Sequence, residues 1–101
     1  MKPPISSVTI GGTRITIKIV DQEEWGNFHG DAKEITISRR AIIEGVFLPT
    51  LLHEMLHAAF FVSGITWALD SNMEEAVVRC LENIYFPALA TLKKRRPRRS
   101  K

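Results

Sequence analysis

At 101 residues, 45% hydrophobic and 25% charged, the chain has the length and composition of one globular domain, which excludes a disordered or fibrous protein. The net charge of +3 conceals a split: residues 1–92 hold seven bases against eleven acids, a net of −4, while the last nine positions, KKRRPRRSK, carry +7. Cys80 is the only cysteine, which excludes an internal disulfide.

The opening MKPPISS has no apolar stretch of the kind a secretory signal needs. The longest apolar region, residues 41–69, is interrupted by Glu44, Pro49, His53, Glu54 and His57 and makes a poor membrane span. With a single cysteine, the expectation is a cytoplasmic protein.

Residues 8–10 and 14–20 alternate polar and apolar side chains around Gly11-Gly12, a hairpin pattern. Ile15, Ile17 and Ile19 would share one face, with Arg14, Thr16 and Lys18 on the other, as in a sheet covered on one side. Residues 21–33, DQEEWGNFHGDAK, read as a loop or an irregular hairpin, and residues 34–38, EITIS, as a third strand. From Pro49, which fits a first helical turn, the apolar residues crowd together up to about Val62, and Ser63-Gly64 signals a helix end. Residues 50–61 are apolar on nearly every side, so this helix is expected to be buried. A second helix is expected over about residues 72–92. Asp70, Ser71 and Asn72 are eligible N-caps, and Met73, Ala76, Val77, Cys80, Leu81 and Ile84 form an apolar stripe. The expected fold class is therefore α+β, with a three-stranded antiparallel or mixed sheet packed on both helices.

Within the first helix, His53-Glu54-Met55-Leu56-His57 fits H-E-x-x-H. Residues four apart share a helix face with Cβ atoms about 5–6 Å apart, so two imidazoles can converge on one Zn²⁺. Glu54, about 100° round the helix from His53, lies off the ion but near enough to hold a metal-bound water. A catalytic zinc usually takes a third protein ligand. Two candidates open the second helix, Glu74 and Glu75. With Met73 at 0°, Glu74 falls near 100° and Glu75 near 200°, while the apolar stripe centres near 20°. This favours Glu74 and leaves Glu75 as the alternative. Either could instead close a capping box, Ser71 with Glu74 or Asn72 with Glu75. His29 is a weaker third-ligand candidate. Tyr85 and His29 are candidate oxyanion donors, and Trp25, Phe28 and Trp67 could form lids or pack in the core.

HEMLH followed by EEAVVRCLENIYFP, with GDAKEITIS ahead of it, resembles the minimal gluzincin-type zinc metallopeptidases. These include small phage-encoded proteins and ImmA/IrrE-type peptidase domains, with SprT-like proteases a more distant comparison. The resemblance covers residues 25–87. It implies a zincin-like domain over residues 1–92 that hydrolyses a peptide bond in a protein substrate, using Zn²⁺. It also implies His53, His57 and Glu74 as ligands and Glu54 as general base. Strand 34–38 would lie beside the helix, with Ile35, Thr36 and Ile37 pairing an extended substrate. The chain departs from the ImmA/IrrE pattern in having Val78 or Arg79 where an acidic residue often follows the ligand glutamate by four.

Residues 93–101 repel one another, contain Pro97 and have no apolar face, so they are expected to be disordered. Lys93, Lys94, Arg95, Arg96, Arg98 and Arg99 could bind nucleic acid non-specifically by counterion release, or merely form a solvated end. The competing function is thus a non-catalytic, zinc-stabilised binding module whose tail contacts nucleic acid.

Overall fold

Alternating β-branched residues build the sheet. In the computed structural model, which describes residues 2–94, the strands are β1 (Ser7–Ile10), β2 (Thr13–Val20), β3 (Gly26–His29) and β4 (Glu34–Ser38). Their spatial order is β1-β2-β4-β3. The β1–β2 hairpin is antiparallel and turns at Gly11 and Gly12, whose φ of 55° and 81° favour glycine. β2 pairs with β4 in parallel, Ile17 opposite Ile35, and β3 pairs with β4 antiparallel.

The sheet has four strands rather than the expected three. The extra one, β3, lies inside the segment read as a loop or irregular hairpin. Four residues that include Gly26 and Asn27 carry little β signal; pairing with β4 makes them a strand.

The helices cover one sheet face. A short α1 (Arg39–Ile43) is capped by Ser38 Oγ, which accepts from Arg40 N at 3.1 Å. α2 (Phe47–Ser63) follows. Pro49 sits in its first turn, where no N–H is required, and Gly64, with φ 91°, closes the far end. Ile15, Ile17, Ile35, Ile37, Ala41, Phe47 and Leu51 form the core, each buried Ile contributing roughly 1.5–3 kcal/mol. α2 is not buried all round: Phe47, Leu51, Glu54 and Ala58 face inward, while Leu48 and Leu52 are about half exposed. A single layer of sheet can cover one side of a helix only.

A 3₁₀ turn (Ile65–Trp67) leads to α3 (Ser71–Cys80), a π-helical segment (Leu81–Tyr85) and α4 (Phe86–Lys94). The expected single helix is thus interrupted. Pro87 cannot donate to the carbonyl four residues back, and the turn before it widens, with Phe86 N–H bonding Leu81 O. The helix runs to Lys94, two residues past the expected domain limit. Residues 95–101, the rest of the expected basic tail with Arg95, Arg96, Arg98 and Arg99, lie outside the described residues.

The expected buried stripe of α3 faces the wrong way. Met73, Val77 and Ile84 are 53%, 38% and 67% exposed, and Cys80 is exposed too. Val78 is fully buried, flanked by half-buried Glu74, Glu75, Leu81 and Glu82. No helix among the described residues is long and apolar enough to cross a membrane.

Candidate metal centre

α2, α3 and the π segment bring two imidazoles and four carboxylates together. His53 and His57 lie one turn apart, with ring centroids 5.0 Å apart. One ring nitrogen of each and a Glu75 carboxylate oxygen lie within 4.8 Å of one another. The Glu75 oxygen is 3.0 Å from His57 Nε2.

The other ring nitrogens are also engaged. Glu74 Oε2 lies 2.6 Å from His57 Nδ1, and Glu82 Oε2 lies 2.9 Å from His53 Nδ1. An ionised carboxylate can only accept, so Nδ1 donates in both pairs, which leaves Nε2 of each ring as the nitrogen available to an ion, that of His57 facing the Glu75 carboxylate. Thr66 Oγ1 donates to Glu74 Oε1 at 3.0 Å, so both Glu74 oxygens are occupied.

The local fold explains the assignment. Asp70 caps α3, accepting from Met73 N at 2.8 Å, which leaves Glu74 and Glu75 free of capping duty. Glu82 stands two turns after Glu75 and so returns to the same helix face. Acidic residues at a spacing of seven were the sequence signal for Glu82, which a search for an acid at i+4 passes over.

Glu54 is 8% exposed and has no hydrogen-bond partner among the described residues. Burial pushes its carboxyl above the usual glutamate range, His53 and His57 partly offset this, and Glu75 and Glu82 raise it further. β3 comes close because residue 26 is glycine: a Cβ there would sit 2.8 Å from Thr50 Cγ2 and 3.0 Å from Glu54 Cγ.

Two adjoining clefts share Gly26, His53 and Glu54. One, about 550 Å³, adds Trp25, Pro49 and Glu82 to its walls; the other, about 360 Å³, adds Asn27, His57 and Glu75.

Other expected site residues lie elsewhere. His29 Nε2 is 3.1 Å from Thr36 Oγ1, on the sheet face opposite Ile35 and Ile37. Tyr85 is half exposed against Phe86, and Trp67 is exposed. Phe28 packs edge-on to Phe61, and Trp25 lies under the Arg40 guanidinium, 4.5 Å from ring centre to Cζ. Ile35, Thr36 and Ile37 cannot pair a substrate strand: β4 is central, flanked by β2 and β3, and all three residues are buried. The sheet edge beside the clefts is β3.

The donor set suits zinc. Two imidazole nitrogens and one carboxylate oxygen match its ligand preferences, and the carboxylates on both Nδ1 atoms fix ring orientation and raise basicity. No protein-family model matches this chain, and no curated protein or solved structure matches it.

Proposed function

We propose that the chain is a zinc-dependent metallopeptidase of the HExxH type with a zincin-like fold, holding its ion through His53, His57 and Glu75. The observation that carries this reading is the division of labour among the glutamates. Glu75 meets the imidazole face where a ligand is needed, Glu74 and Glu82 hold the far nitrogens, and Glu54 is left free in the cleft. A purely structural ion would not require a carboxylate without a side-chain partner in the cleft beside it.

A bound zinc ion would supply Lewis-acid polarisation of a peptide carbonyl and a lowered pKa for the attacking water. Glu54, in the cleft beside the two histidines, would take the proton from the attacking water and pass it to the leaving amine. An extended substrate adds to the β3 edge, and the adjoining clefts take side chains on either side of the scissile bond.

The test uses zinc-loaded protein and an unfolded polypeptide substrate, with products read by mass spectrometry. Glu54→Gln is expected to stop cleavage while one equivalent of zinc stays bound. Cleavage by that variant, or absence of bound zinc in the native protein, overturns the reading.

A further inference from the structure

The outward face of α3, the π segment and α4 carries an apolar row that the other described residues leave uncovered. Met73, Val77, Ile84, Tyr85 and Leu92 are 38–67% exposed, and Ala76, Cys80 and Ala88 lie exposed among them. α4 has its main contacts with the adjoining π segment alone. A helix of nine residues has little stability of its own in water and needs a packing partner.

We propose that the partner is a second copy of this chain, laid antiparallel along the same face about a two-fold axis between positions 80 and 81. Residue sizes in the row are self-complementary in that register. Met73 falls opposite Ala88, Tyr85 opposite Ala76 and Ile84 opposite Val77, so each large side chain meets a smaller one, as close packing requires. A parallel arrangement would set Met73 on Met73 and Tyr85 on Tyr85.

Charge selects the same direction. By sequence the run opens at Asp70 and closes at the basic positions 93 and 94, so an antiparallel register sets positions of opposite charge near one another. The helix dipoles also oppose favourably. Parallel copies would place like charge on like charge. A two-fold contact of this kind uses the same patch twice and closes on itself. Glu74, Glu75 and Glu82 turn towards α2, on a different side of α3, so both clefts stay open in the pair.

Sedimentation equilibrium of the full chain is expected to give the mass of two chains; a single-chain mass at tens of micromolar overturns the proposal. Val77→Glu and Ile84→Glu are each expected to weaken association about tenfold or more, with the circular dichroism unchanged. Association unaffected by both excludes this face. For the register, Met73→Cys and Ala88→Cys chains, each in a Cys80→Ser background, are mixed under mild oxidation. Mixed disulfides are expected to predominate, and predominance of either like-with-like disulfide overturns the antiparallel arrangement.

Discussion

The carboxylate of Glu82 accepts from Nδ1 of His53 at 2.9 Å, joining the π segment to the middle of α2 across 29 residues of chain. That bond fixes the ring so that Nε2 faces the cleft. Replacing Glu82 with Gln is expected to lower zinc affinity about 10–100-fold, measured against a competing chelator, with the fold retained. Unchanged affinity would remove Glu82 from any part in the site.

Glu74 and Glu75 are neighbours with different tasks. Glu75→Ala is expected to cost more zinc affinity than Glu74→Ala, since the first removes a ligand and the second an orienting partner whose loss is worth about 10–100-fold. The reverse ranking by calorimetry would exchange the two roles.

Glu54 makes metal-free stability depend on pH. Its folded-state pKa is raised by burial, so the folded chain holds the proton more tightly than the unfolded chain. Stability therefore falls as pH rises from the unfolded carboxyl range through the raised folded value. Glu54→Gln lacks this decline. In urea titrations of metal-free protein, the variant is expected to gain on the native chain as pH rises above the ordinary glutamate range; a constant difference would contradict the burial effect.

Gly26 permits β3 to touch α2. Gly26→Ala puts a methyl group 2.8 Å from Thr50 Cγ2 and 3.0 Å from Glu54 Cγ, an overpacking expected to cost about 1–3 kcal/mol by thermal melting. Thr50→Ser removes the nearer methyl and is expected to restore part of the loss. No recovery in the double variant would locate the strain elsewhere.

The sequence by itself determined the features that depend on short-range spacing. His53 and His57 share a helix face because they are four apart, Ile15 and Ile17 share a sheet face because they are two apart, and Gly64 ends α2 because it tolerates positive φ. Only the tertiary structure decided which side of α3 turns inward. Hydrophobic periodicity pointed to Met73, Val77 and Ile84. The side facing α2 carries Glu74, Glu75, Val78 and Glu82, where carboxylates partner half-buried imidazoles. Likewise, β4 became central because β3, weak in local propensity, gains its strand character from pairing. Periodicity describes one element at a time, whereas the rotation of a helix and the place of a strand are set by the neighbours that satisfy their polar groups.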